Sequence, residues 1–322
     1  MRPVTLFAAL CVLGSSAQPH AQQTSAFKSG VEAVYLDVTV LDRDGAIVRG
    51  LTANDFKVFD ENVEHAVALF SDAPEPISVG VLIDASGSME GDRMQAAIAA
   101  AASLGRSLQP RDLWSVATFS GRLDTLIGWR PYDDATMAAI QRIYAGGGTA
   151  LFKSVADFAK GMADTPHRKR AMLVITDGAD DSVQQERRQR IIGTPNEFDP
   201  SSSSAAIVID HSALAISTLR SGEVLVYAMG LDWPQAVDNP GELHEPSLRK
   251  LADPTGGAVT IVRSRSQAAA VAQQLADELR QQYTLGFYPQ KAADGKYRRI
   301  KVVAKNSSYR VRTRGGYLAS RK

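Results

Sequence analysis

Among its 322 residues the chain has one cysteine, Cys11. It lies inside an apolar N-terminal run, flanked by Leu10 and Val12. A lipid-bearing cysteine is expected just past such a run, after small residues. With the run removed no thiol remains, which excludes disulfides and thiol chemistry. Long apolar stretches are missing too. A spanning helix needs roughly 20 apolar residues, so the sequence predicts no transmembrane segment in the mature chain. Neither sign of charge dominates: 36 Lys and Arg face 35 Asp and Glu, a formal net charge of +1. That balance argues against nucleic acid or another polyanion as partner. The histidines, at 20, 65, 167, 211 and 244, show no zinc-ligand spacing, and none marks an obvious strand end.

What is present begins with a leader. Arg2, the apolar Val4 to Leu13 and the small residues Gly14-Ser-Ser-Ala17 read as a signal peptide, cleaved after Ala17 or Ala21. Residues 1–21 are therefore assigned to it, and the mature protein is expected outside the cytoplasm, periplasmic or secreted. Residues 28–73 read as β. Val34, Leu36, Val38 and Val40 alternate with Tyr35, Asp37 and Thr39, the period of a half-buried strand. Pro74 and Pro76 mark a boundary. From 77 to 282 strand-like and helix-like runs alternate, the sign of a doubly wound sheet. Strands are predicted over 77–84, 113–119, 171–176, 224–230 and 258–262, with an antiparallel edge over 122–129. Helices are predicted over 94–108, 134–144, 151–162, 211–220, 246–251 and 267–282, with Asp133 and Thr149 as N-caps. Residues 283–318 return to β in three runs. Neither terminal segment can bury an apolar face alone. The fold class expected is α/β, a doubly wound, mostly parallel sheet, with a small β-sandwich formed by the N- and C-terminal segments. Residues 182–209, with Arg187, Arg188, Arg190 and four consecutive serines, read as a long surface loop.

The most informative pentad is Asp84-Ala-Ser-Gly-Ser88, directly after the apolar run Ile77 to Ile83. A strand buried on both faces ends there, at the carboxyl edge where open α/β folds hold their ligands. Gly80 within it leaves room for close packing. One carboxylate and two hydroxyls stand at i, i+2 and i+4, on one side of an extended or gently turning segment. Gly146-Gly-Gly-Thr149 is a glycine-rich loop ending in a hydroxyl, and Thr176-Asp177-Gly178 closes a second buried strand. If the two strands are neighbours, Asp177 stands beside Asp84. The set Asp84, Ser86, Ser88, Thr149 and Asp177 is all oxygen. Hard oxygen donors suit Mg²⁺ and also admit Mn²⁺ or Ca²⁺.

In motif order and spacing this set resembles the metal-ion-dependent adhesion site of the von Willebrand factor type A domain. Asp84, Ser86 and Ser88 match D-x-S-x-S, Thr149 the loop threonine, and Asp177 the T-D-G aspartate. The head, Leu36 to Gly45 with Gly50 to Phe56, and the tail, Gln282 to Tyr288 with Gly315-Gly-Tyr317, look like the bacterial exported "VWFA-related" group. The resemblance implies a non-enzymatic binder whose cation takes a Glu or Asp carboxylate from a partner protein as its last ligand. Specificity then falls to the surrounding surface, for which Met89, Glu90, Arg93, Ser120, Arg122, Leu151, Phe152, Asp180 and Asp181 are candidates.

Rival readings exist for each part. Ser86 and Ser88 can be turn residues and Asp84 a helix-capping acid. The glycines can be a connector. Asp180 and Asp181 read as solvated acids. A nucleotide-binding P-loop needs glycine before its lysine, and Phe152 stands before Lys153, so no nucleotide is expected. A serine hydrolase at Ser86 lacks the elbow motif, since Asp84 and Ser88 occupy its glycine positions. The remaining alternative is structural: a component of an envelope assembly whose metal site only stabilises the fold.

Overall fold

A computed structural model describes residues 32–180, 210–233 and 243–319. The leader, Asp181 and the 182–209 segment with its arginines lie outside the described residues. The head of the chain supplies β1 (Val34–Leu41), β2 (Phe56–Asp60), β3 (Val63–His65) and β4 (Leu69–Ser71). The α/β part follows as β5 (Ile77–Asp84), α1 (Asp92–Ser107), β6 (Leu113–Phe119), β7 (Leu123–Arg130), α2 (Met137–Ile140), α3 (Leu151–Met162) and β8 (Lys169–Thr176). It continues as α4 (His211–Ser221), β9 (Val224–Leu231), α5 (Glu245–Ala252), β10 (Ala258–Val262) and α6 (Arg265–Arg280). The tail gives β11 (Tyr283–Phe287), β12 (Tyr297–Ala304), β13 (Arg310–Arg312) and β14 (Gly316–Leu318).

The central sheet has six strands in the order β10-β9-β8-β5-β6-β7, parallel except for the antiparallel edge β7. Its middle strand β5 is buried along all eight residues, as a both-face strand requires. One face packs on α1 and α6 through residues such as Ala97, Ala101, Ala272 and Leu279; the other packs on α3 and α4 through Val155, Phe158, Ala215 and Leu219. Gly80 lets α3 approach closely, for a methyl group there overlaps the Phe158 ring.

Head and tail strands pair into two four-stranded antiparallel sheets, β13-β1-β11-β4 and β14-β12-β2-β3. Leu36, Val38, Val58, Leu285, Phe287 and Val302 fill the space between them. The fold class expected from the sequence is the one observed. An ionic joint fastens this sandwich to the α/β part. The Arg168 guanidinium reaches Asp37 at 2.8 Å, Glu75 at 3.0 Å and Thr284 at 3.1 Å.

Two local expectations are corrected. The helix predicted over 134–144 is only a 3₁₀ turn, Asp134–Thr136, and the single turn of α2. Ile140 reaches the core, whereas Gln141, Arg142 and Tyr144 are exposed, so a longer helix buries little. The tail holds a fourth strand, the three-residue β14, too short for alternation to reveal. Among the described residues no helix is long and apolar enough to cross a membrane.

Replacing Gly80 with Ala is expected to destabilise the protein by about 1–3 kcal/mol, since overpacking displaces Phe158 and α3. Urea unfolding measures it; an unchanged midpoint contradicts the close contact.

Candidate metal centre

Chain direction creates the site. From β5 the chain moves to β6 and β7 on one side, then returns with β8 on the other. β5 and β8 run parallel with Ile83 level with Ile175. The crevice beyond their carboxyl ends is the switch point where open α/β sheets hold ligands. Asp84 is the last residue of β5 and Asp177 follows β8; both are fully buried.

The pentad does not stay extended. Ser86 starts a 3₁₀ turn over Gly87–Met89. That turn, rather than strand alternation, brings the Ser86 and Ser88 hydroxyls to 3.1 Å. The Ser86 N–H donates to Asp84 Oδ1 at 2.8 Å. Main-chain bonds staple this turn to the glycine loop. Gly146 N–H donates to the Ala85 carbonyl at 2.7 Å and Gly87 N–H to the Gly147 carbonyl at 3.1 Å. Gly147 has φ +91°, a conformation that favours glycine, so the run is more than a connector. Thr149, 4% exposed, sits between this staple and the bond from Ala150 N–H to the Ser120 carbonyl at 2.8 Å.

Thr149 does not cap α3. The N-cap is Ala150, which has no side chain to accept a bond. Asp180 Oδ2 instead accepts the Phe152 N–H at 3.0 Å, so this acid serves a helix start rather than standing in solvent. Three of the surface candidates also move. Met89 and Leu151 are fully buried and Arg93 is 6% exposed, so they underlie the site. Glu90 and Arg122 are exposed, and Ser120, Phe152 and Asp180 partly so. Sequence reasoning passed over Tyr144, 80% exposed and two residues before the glycine run; a lone aromatic beside a glycine loop was the available signal. His244, set aside with the other histidines in the sequence, has its main-chain N–H donating to the Asp177 carbonyl at 2.8 Å beside the end of β8.

The electrostatics set the two carboxylates apart. Burial pushes the Asp84 carboxyl up to about 6. Bonds from Thr176 and Ser86 oppose the rise and the nearby Asp177 charge adds to it. The Thr176 hydroxyl donates to Asp84 Oδ2 at 2.5 Å and itself accepts the Gly178 N–H at 2.9 Å. Sequence reading missed Thr176, although parallel register places it level with Asp84. Asp177 is answered less completely. Its Oδ1 accepts the Ala179 N–H at 3.3 Å, whereas its Oδ2 is buried without a hydrogen-bond partner. The Arg93 guanidinium stands 4.0 Å from that oxygen and donates to the Ser88 carbonyl at 2.8 Å.

Among the described residues no group of three or more His, Cys, Asp or Glu gathers; the donors here are two carboxylates among hydroxyls. A buried carboxylate oxygen lacking a donor is costly. The other candidate donors on the loops of this sheet edge, Asp84, Ser86, Ser88 and Thr149, are hard oxygens, so this chemistry fits a divalent cation of the Mg²⁺ type.

Comparison with known proteins agrees with the fold. A family model described as the von Willebrand factor type A domain matches residues 79–179. No curated protein matches the chain by sequence. Among solved structures, a von Willebrand factor type A protein from Catenulispora acidiphila is similar at 17% identity, over 91% of this chain and 74% of that one, with a TM-score of 0.50. BatB from Bacteroides thetaiotaomicron is similar at 19% identity, over 63% and 98% of the two chains, with a TM-score of 0.44. Proximal thread matrix protein 1 from the mussel byssus, whose structure is described with a zinc-occupied MIDAS motif, is similar at 14% identity over 69% and 50%, with a TM-score of 0.48. At 17% identity the likeness to the Catenulispora acidiphila protein is one of fold.

The raised Asp84 carboxyl yields a signed prediction. Between about pH 4 and 6 the folded metal-free protein keeps a proton that the unfolded chain has released. Stability from this group is full below that window and lost as pH rises through it, a cost of roughly 3 kcal/mol above pH 6. Asp84→Asn removes the cost. In EDTA at pH 7.5 it is expected to stabilise the protein by about 1–3 kcal/mol in urea unfolding. A destabilised Asp84→Asn protein contradicts this electrostatic assignment.

Proposed function

We propose that this chain, which carries a von Willebrand factor type A domain across residues 79–179, is a metal-dependent protein binder. Asp84, Ser86, Ser88, Thr149 and Asp177 hold one divalent cation, Mg²⁺ in the first place, with Mn²⁺ or Ca²⁺ as alternatives. The cation then accepts a Glu or Asp carboxylate from a partner protein. The observation that carries this reading is Asp177 Oδ2, a buried carboxylate oxygen with no hydrogen-bond partner beside a second buried carboxylate. Hydroxyl ligands add no charge; with the hydroxyls bound directly and the two aspartates acting partly through water, the ion keeps much of its own charge and seeks an anion. The function is non-enzymatic. The leader, Arg2 with the apolar Val4 to Leu13, supports a site of action outside the cytoplasm. Partner choice rests on the exposed Glu90, Arg122 and Tyr144 and the partly exposed Phe152.

A second reading has one observation in its favour. Asp84, Ser86, Thr149 and Asp177 are each at most 4% exposed, as a purely structural ion would require. The two readings separate in a single experiment. The adhesion reading expects EDTA, or Asp84→Ala, to abolish capture of partners from envelope extract while circular dichroism reports an intact fold. The structural reading expects a large fall in melting temperature with the captured complex retained. Asp177→Asn is expected to weaken Mg²⁺ binding at least tenfold in calorimetry; an unchanged titration removes Asp177 from the ligand set.

A further inference from the structure

Arg93 stands where a cation is badly placed. It lies in the first turn of α1, at the positive end of the helix dipole, which repels cations. It is also only 6% exposed, so its guanidinium has lost most of its water. Both costs are tolerable only if nearby negative groups offset them. Those observed include the Ser88 carbonyl at 2.8 Å and the Asp177 carboxylate at 4.0 Å. The guanidinium thus bridges the serine turn that follows β5 and the acid that follows β8.

We propose that Arg93 is the internal counter-cation of this site. In the metal-free protein it neutralises Asp177 and pins the Ser88 turn, keeping the loops assembled before any ion arrives. Once an ion binds, Arg93 repels it, so the arginine lowers affinity and keeps binding reversible. The second half of the proposal rests on the metal-binding reading above; the first half does not. Arg93 is a positioning residue, and its charge, rather than its bulk, is the active property.

The test combines two measurements on the full chain. The first is a double-mutant cycle of Arg93→Met and Asp177→Asn by urea unfolding in EDTA. Arg93→Met alone is expected to lower the midpoint, and Asp177→Asn in that background to recover part of the loss, because it removes the stranded charge. The second is calorimetric titration with Mg²⁺ alone. Arg93→Met is expected to bind about tenfold more tightly, since a like charge near the ion has been deleted. Arg93→Lys keeps the charge and is expected to match the wild type within about twofold in affinity. Strict additivity in the cycle overturns the proposal. So does weaker Mg²⁺ binding by Arg93→Met, or failure of Arg93→Lys to fold, which would make the residue's shape decisive. If Arg93→Met alone fails to fold, Arg93→Lys with wild-type affinity still supports a role for charge. If the wild type binds no divalent ion while the cycle shows coupling, the metal-binding reading falls and the pairing of Arg93 with Asp177 stands.

Discussion

Two carboxylates shut away from water at one sheet edge are the constraint on which this structure turns. Asp84 and Asp177 are both fully buried, and the Asp177 charge raises the cost of ionising Asp84. The chain answers them unequally. Asp84 receives a hydroxyl from Thr176 and a main-chain N–H from Ser86. Asp177 receives one long bond on Oδ1, while its Oδ2 has the Arg93 guanidinium 4.0 Å away and no hydrogen bond. Removing two such groups from water without a full set of partners is destabilising. The divalent ion proposed for this site would resolve the imbalance.

The rest of the fold holds these groups still. β5 is buried on both faces between two helix layers, so Asp84 cannot drift. The parallel register of β5 with β8 fixes the level of Thr176 and hence the start of the Asp177 loop. Main-chain bonds at Ala85, Gly87, Gly146 and Ala150 tie the pentad, the glycine loop and the end of β6 into one rim. The terminal sandwich is joined below through Arg168, Asp37 and Glu75, at the opposite end of β8 from the acids. Rigid support beneath and exposed side chains at the rim is the arrangement a recognition surface needs.

Much of this was legible in the sequence, for identifiable reasons. Apolar runs such as Ile77 to Ile83 give buried strands because both faces are covered, and the head strand shows a clean period of two. The doubly wound class with a terminal sandwich followed from those patterns. Less visible was whatever depends on tertiary closure. The sequence reads the pentad as an extended or gently turning segment, whereas a tight 3₁₀ turn gathers Ser86 and Ser88. Thr149 resembled an N-cap, yet Ala150 occupies that place and Asp180 supplies the acceptor from another loop. Met89 stands between the polar Ser88 and Glu90, and Leu151 follows the glycine loop, so both looked like rim residues; burial depends on the tertiary packing that covers them. Arg93 was taken for surface because arginine usually is. Only the packed structure reveals that its charge points inward, toward Asp177.

The central claim is that a divalent cation sits among the oxygens of Asp84, Ser86, Ser88, Thr149 and Asp177. The most direct test is a crystal of the protein grown with Mn²⁺ and measured for anomalous scattering. The account predicts one strong peak bounded by those five side chains. A map with no peak there, or with manganese held elsewhere on the chain, contradicts it.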